Sequence, residues 1–422
     1  MSRASFAPEV QHPSGAIFGD RIMVLADGLA KWSESPEGLT CTFLSAAHRA
    51  VANEIAELMT AAGLDTAIDA TANVVGRYNS KRPSAKTIIV GSHYDTVRDA
   101  GKYDGRLGIL VGMVVAEHIV QNRLDLPFNL EVAAFSEEEG VRFSTSYVGS
   151  SAVAGRFNAD LLDRRDKHGT SLAEALRAAG HDPKTIPSLA RERAGLAGYL
   201  EVHIEQGPVL LAENLPVGVV TEIAGNSRFL VRVEGEAGHA GTVPMALRHD
   251  AAAAAAEITL MVEQYGKEFG LLGTVGRLAV PNGAINLVPG LCEMSLDIRS
   301  GNDATRKTAV AGILANIARI ADRRGVTATC LEVLDEAAVP CSTRFQNAFA
   351  AAIARAGLSV RHLPSGAGHD AVMFSGITDI GMLFVRCGNG GVSHSPRETV
   401  EARDADIAAR ILLDVLSNLD KA

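Results

Sequence analysis

Apolar and polar positions follow two different regimes along this 422-residue chain. Up to about residue 214, short, largely apolar runs, such as TIIVG at 87–91 and LEVAAF at 130–135, alternate with longer helical segments. Runs of that length mark strands buried on both faces, as in a mostly parallel sheet. Residues 18–63 read as helical, with an amphipathic helix over 40–63 closed by Gly63. The stretch 107–121 is apolar almost all round, as a helix packed under a sheet would be, and 199–204 is a further strand. After Pro216 the pattern changes to an alternating strand at 228–235, an alanine-rich helix at 249–265, a strand at 293–299, a helix at 303–324 and a strand at 327–333. This predicts a compact α+β insertion of β-α-β-β-α-β type. From residue 343 the first regime resumes with a helix to 356, the turn PSGAGHDA, a strand at 379–385, the loop RCGNGGVSHSPRE and a closing helix at 404–419. No internal repeat is present. One domain, 1–214 with 334–422, is thus interrupted by a second, 215–333, which puts a crevice between them.

Composition narrows the setting without choosing a chemistry. The chain is 47% hydrophobic and 21% charged, ordinary for a globular protein, and too long for one core. A formal net charge of −9 and a pI near 5.8 supply no electrostatic footprint for nucleic acid or an anionic membrane. Residues 1–15 hold no apolar core of a signal peptide, and no run approaches the ~18 apolar residues that span a bilayer. Five cysteines stand without a C-x-x-C pair, which fits a reducing compartment and argues against a thiolate metal site. The expected location is the cytoplasm.

Candidate chemistry gathers at the strand ends. The strand at 87–91 runs into His93 and Asp95, with Asp104 a short loop later. Parallel strands deliver their last residues to the carboxyl edge of the sheet, where open α/β folds place their sites. His93 and Asp104 are read as metal ligands, with Asp95 orienting His93. The strand at 130–135 ends in Glu137, Glu138 and Glu139, of which one can ligate while a neighbour stays free to carry a proton. His203 and His394 follow two further strands. Taken singly each is ordinary: a His-x-Asp after a strand is usually a satisfied loop histidine, and a run of glutamates is usually solvated. Together, His93, Asp104, Glu138, Glu139, His203 and His394 exceed what one zinc needs, and two metals sharing a bridging carboxylate accommodate them.

Seven motifs in this order, GSHYDTV, GKYDG, FSEEEGVRF, HIEQGPVL, GHAGTVP, SGAGHDA and SHSPRE, resemble the dinuclear zinc hydrolases of the aminoacylase and carboxypeptidase type over nearly the whole chain. The similarity is to their hydantoinase/carbamoylase branch, which includes N-carbamoyl-L-amino acid amidohydrolase and allantoate amidohydrolase. The resemblance implies an α/β catalytic domain, a mixed sheet flanked by helices, with an inserted ferredoxin-like α+β lid and dimerisation domain. It implies that His93, Asp104 and His203 bind one metal, that Asp104 bridges to a second held by Glu139 and His394, and that Glu138 is the general base with Asp95 beside it. The peptidase branch carries a carboxylate where this chain has His203, so histidine there favours the amidohydrolases. Arg299 is then the grip on a substrate carboxylate, and Gln206, Asn286, Gly368 and His369 are further substrate contacts. His239 reaches the site from a partner subunit, which implies a homodimer through the insertion. Two divalent ions per subunit are expected, zinc before manganese, cobalt or nickel, since mixed nitrogen and oxygen ligands suit all four.

The activity expected is hydrolysis of the ureido C–N bond of a small carboxylate, allantoate or an N-carbamoyl-L-amino acid. A dipeptidase or N-acyl amino acid hydrolase with the same metals is the alternative. An inactive metal-binding scaffold is the third, against which the intact Glu138 speaks.

Overall fold

The computed structural model describes residues 18–419, so the stretch 1–15 read for targeting signals lies outside the described residues. The chain divides into two compact units. The first takes in the chain up to Thr221, Cys341–Leu363 and everything from His369 on, and the second takes in Glu222–Pro340 and Pro364–Gly368.

The first unit is built on a mixed sheet of β1 (Asp65–Ile68), β2 (Val74–Tyr78), β3 (Thr87–His93), β4 (Asn129–Phe135), β5 (Leu196–Ile204), β6 (Val217–Ile223) and β7 (Ile380–Val385). Their order across the sheet is β1-β2-β4-β3-β5-β7-β6. The four central strands β4, β3, β5 and β7 are parallel, and the flanking pairs are antiparallel. The apolar runs explain this directly: every residue of β3 and β7 is buried, as strands covered on both faces require. Helices α1 (Gly19–Leu29), α2 (Ala46–Ala61), α3 (Arg106–Gln121), α4 (Thr343–Arg355) and α5 (Ala402–Asn418) contribute to one continuous core with these strands. Helix α3 is buried almost all round because it lies between the sheet and helices α1 and α5. Phe345 and Phe349 of α4 are wholly buried in the same core, and truncating either to alanine should cost about 3–5 kcal/mol.

Two expectations shift. The amphipathic helix over 40–63 begins only at Ala46, because Ser45 caps it by accepting the His48 N–H and Leu44 adopts φ 58°. Residues ahead of the cap are drawn elsewhere: the Cys41 N–H donates to Thr96 Oγ1 and Leu39 bridges to Ala100, so this apolar run braces the loop after β3. The division of the chain falls at 221/222 and 340/341, several residues beyond 214/215 and 333/334, because Val217–Val219 pair with β7 in the mixed sheet and Val339–Pro340 pair with Glu222 and Ile223.

The second unit is a four-stranded antiparallel sheet covered on one face by two helices. Its strands are Gly225–Glu234, Leu272–Ala279, Leu291–Ser300 and Thr327–Glu336, its helices Ala251–Phe269 and Asp303–Arg324, in the order β-α-β-β-α-β. Numbered in chain order, the strands lie 4-1-3-2 across the sheet, the ferredoxin-like arrangement. Leu272–Ala279 was not distinguished in the sequence pattern. Burial alternates along Gly225–Glu234 because only one face meets the helices. Each helix starts at a side-chain cap, Asp250 or Asn302, and ends at a left-handed glycine, Gly270 or Gly325.

Candidate metal centre

The four parallel strands end on one edge of the sheet, and each carries candidate ligands there. β3 ends at His93 and leads to Asp104, β4 leads to Glu138 and Glu139, β5 holds His203, and β7 leads to His394. Ring orientation is fixed by hydrogen bonds. His93 Nδ1 lies 3.1 Å from the Asp95 carbonyl oxygen and 3.5 Å from its carboxylate, and His203 Nδ1 lies 2.9 Å from the Ile204 carbonyl. Carbonyl acceptors at Nδ1 place the proton there in the neutral rings and leave both Nε2 lone pairs for a ligand. The Gly105 N–H donates to His203 Nε2 at 3.2 Å, in keeping with that tautomer.

Asp104 stands at the centre. Its Oδ1 lies 3.7 Å from His93 Nε2 and 3.3 Å from His203 Nε2, while its Oδ2 lies 3.2 Å from His394 Nε2. His394 Nε2 in turn lies 3.5 Å from Glu139 Oε1. One carboxylate therefore faces a different donor group with each oxygen. The donor atoms of His93, Asp104 and His203 all lie within 4.8 Å of one another, as do those of Asp104, Glu139 and His394. His93, Glu138 and Glu139 form a further such group, and Glu201, His203 and His369 another. Imidazole and carboxylate donors in two triads sharing one aspartate fit a pair of divalent cations of the zinc, manganese or cobalt kind. Gly105 preserves the space: a β-carbon there would sit 2.4 Å from His93 Nε2, and its φ of +65° is one side chains avoid.

Charge is strongly coupled at this edge. Burial alone would lower His93, yet Asp95 and the charges of Glu138 and Glu139 outweigh it and hold the ring well above its usual value. His394 is pushed up to about 9, chiefly by its bond to Asp104. Burial would raise Asp104, but His394, His203 and His93 hold it below the carboxylate range. Burial pushes Glu138 well up and Glu139 up to about 7, and it lowers His203 to about 4. The Asp104 carboxylate is balanced there by imidazolium, a charge that bound cations would replace.

Asp95 does more than orient His93. Its two carboxylate oxygens accept the N–H groups of Glu138 and Glu139 at 3.0 and 3.1 Å, tying the loop after β4 to the end of β3. Gln206, at φ 55°, donates to Asp104 Oδ2 at 2.9 Å. His369 is buried edge-on against His203, with ring centroids 4.5 Å apart.

The remaining candidates lie in the second unit. Arg299 forms a two-pronged pair with Asp297 at 2.7 and 2.9 Å and donates to the Gly366 carbonyl. Exposed His239 lies on the short strand Gly238–His239 and exposed Asn286 in the turn just ahead of its partner strand Leu287–Val288; the Ala240 N–H donates to the Asn286 carbonyl, and Gly368 is exposed.

Several residues at the edge were not singled out by sequence. Glu201 accepts from Ser92, Tyr199 and the Ala371 N–H, and burial pushes it up to about 8. Ser393 and Glu398 contact the Asp104 segment. The SHSPRE motif contained both, but nothing in their spacing marks them as inward-facing.

Imidazoles and carboxylates meeting in two linked triads, at the carboxyl edge of a mixed sheet, define the class of metal-dependent hydrolases. Residues 89–418 match the family model described as Peptidase family M20/M25/M40, and the chain belongs to that family. It is 38% identical over 398 residues to an N-carbamoyl-L-amino acid amidohydrolase of Geobacillus stearothermophilus, covering 94% of this chain and 97% of that one. It is 39% identical over 435 residues to a probable allantoate deiminase of Oryza sativa subsp. japonica, covering 95% and 88%. Among solved structures, an amidase of the hydantoinase/carbamoylase family from Burkholderia multivorans superposes with a TM-score of 0.88 at 28% identity, covering 95% of this chain and 97% of that one. The fold and the enzyme class, hydrolase of the amidohydrolase kind, follow from this kinship.

Proposed function

We propose that this chain hydrolyses the ureido C–N bond of a small carboxylate-bearing substrate, allantoate or an N-carbamoyl-L-amino acid, releasing ammonia and carbon dioxide from the carbamoyl group. The observation that carries the reading is the division of Asp104, with Oδ1 towards His93 and His203 and Oδ2 towards His394. In this reading His93, Asp104 and His203 hold one divalent ion and Asp104, Glu139 and His394 a second, zinc being the best match to the donors. Bound there, such a pair supplies an acidified water and polarises the carbonyl oxygen.

Glu138 takes the proton from the attacking water and delivers it to the leaving nitrogen. Glu138 lies within reach of His93 and Glu139, and burial holds its carboxyl above the usual range. Asp95 fixes that glutamate's backbone through its carboxylate and the His93 ring through its backbone carbonyl, so base and ligand are set by one residue. The assigned substrate contacts are Gln206, His239, Asn286, Gly368, His369 and Arg299, the last trading its pairing with Asp297 and Gly366 for the substrate carboxylate. A homodimer through the inserted unit, with His239 serving the neighbouring subunit, completes the proposal. Among the described residues all five cysteines are free, which supports a reducing, cytoplasmic setting, and no helix is long and apolar enough to cross a membrane.

The test is ammonia release from allantoate and from N-carbamoyl-L-amino acids by protein stripped with chelator and reloaded with Zn²⁺ or Mn²⁺. Turnover of one of them, dependent on the metal, is expected. Turnover of dipeptides or N-acyl amino acids with no ammonia from either ureido compound would transfer the assignment to the peptidase-like alternative.

A further inference from the structure

Against the backbone of Asp104 lies a buried carboxylate that none of the ligand groups uses. Glu398 is 3% exposed, and its Oε1 accepts the N–H groups of both Tyr103 and Asp104 at 2.8 and 3.1 Å. Its Oε2 lies 3.0 Å from Ser393 Oγ, and that hydroxyl lies 2.7 Å from Asp104 Oδ2. The single hydroxyl proton of Ser393 lies between the two carboxylates, with the shorter contact to Asp104, so Glu398 orients that hydroxyl from its other side. The fold reserves the place: a β-carbon on Gly101 would stand 2.3 Å from the Glu398 carboxyl carbon. His394, next to Ser393, has φ 53°, a conformation that persists in a non-glycine residue only where its surroundings enforce it.

These contacts join two loops almost three hundred residues apart in sequence, one carrying Asp104 and the other His394. We propose that Glu398, through Ser393, is the positioning residue that sets Asp104 as a bridge, turning Oδ2 towards His394 while Oδ1 stays with the other two histidines. The inference rests on the dinuclear reading above and adds to it a residue that touches neither metal nor substrate. Carboxylates that ligate metals are themselves held by hydrogen bonds, and losing such a partner typically costs about 10- to 100-fold in metal affinity.

The experiment is a competition titration of Zn²⁺ against a chromophoric chelator, on chelator-stripped wild-type, E398A, E398Q and S393A proteins, with the melting temperature of each stripped protein measured alongside. Glutamine can accept both N–H groups through its carbonyl and donate to Ser393, so E398Q should bind two ions with affinities within about threefold of wild type. E398A should lose about 10- to 100-fold for one of the two ions, and S393A about tenfold with the stripped protein melting as wild type does. E398A and S393A each binding both ions with wild-type affinity would overturn the proposal, whatever their melting temperatures, since a purely structural role lowers stability alone. Should E398A fail to fold, S393A decides on the same criterion. Wild-type protein binding fewer than two ions would instead overturn the dinuclear reading itself, and the positioning role with it.

Discussion

Replacing Gly105 by alanine asks whether the space beside His93 is kept for a ligand. The perturbation has two parts. The backbone there sits at φ +65°, ψ −53°, and forcing a β-carbon into such a conformation costs about 1–3 kcal/mol. The new carbon would also lie 2.4–2.5 Å from three atoms of the His93 ring, where contact requires roughly 3.5 Å, so ring or loop must retreat by about 1 Å. The ring is pinned from behind by Asp95 and is 3% exposed, so it has no free direction in which to yield. A displacement of that size at a catalytic group costs about a hundredfold in rate, and zinc affinity at the His93 position should fall comparably. Gly169 supplies the control: its φ of +83° is likewise positive, but nothing lies within 4 Å of its missing β-carbon. Zinc titration and thermal melting of the two stripped variants separate strain from collision. Both should melt lower than wild type, and only Gly105→Ala should lose affinity. Full zinc affinity and full turnover in Gly105→Ala would refute the claim that His93 Nε2 ligates from its observed position.

Three further outcomes are expected. Glu138→Gln should lower kcat by about 10²- to 10⁴-fold while leaving the metal content at its wild-type value, checked by steady-state kinetics and elemental analysis. Arg299→Ala should raise KM by about 10- to 100-fold for a substrate with a carboxylate, the worth of a charge-assisted bond, and an unchanged KM would remove Arg299 from the substrate site. The third is a pH dependence of stability: burial holds His48 neutral, lowering it from its ordinary 6.5 to about 4. Between those values the unfolded chain takes up a proton that the folded chain refuses, so stability falls as pH drops from 6.5, by roughly 3 kcal/mol in all. Glutamine in its place can still donate to the Ser136 carbonyl that His48 Nε2 meets at 2.6 Å, so His48→Gln should flatten the slope in denaturant titrations of stripped protein. Equal slopes for both proteins would contradict the buried neutral histidine.

Strand positions were legible because strands covered on both faces leave largely apolar runs, and polar residues directly after such runs stand out. His93, Asp104, Glu138, Glu139, His203 and His394 could be listed that way, and the structure brings all six to one sheet edge. The start of α2 is not legible because the apolar segment ahead of it runs on into the helix without a change of period. Leu272–Ala279 escaped notice because Gly273 and Gly276 interrupt its alternation. Glu398 and Ser393 escaped for a different reason: their partners are backbone N–H groups and a carboxylate in a distant loop, and a single sequence does not reveal such contacts. Glu201 was hidden in a strand whose every neighbour is buried, where one acidic residue breaks no pattern.

The central claim is that Asp104 bridges two cations, and anomalous diffraction from crystals loaded with Zn²⁺ tests it most directly. Two peaks per subunit, one on each side of the Asp104 carboxylate, with His93 and His203 at the first and Glu139 and His394 at the second, are predicted. A single peak, or peaks that leave either oxygen of Asp104 uncoordinated, would contradict the account.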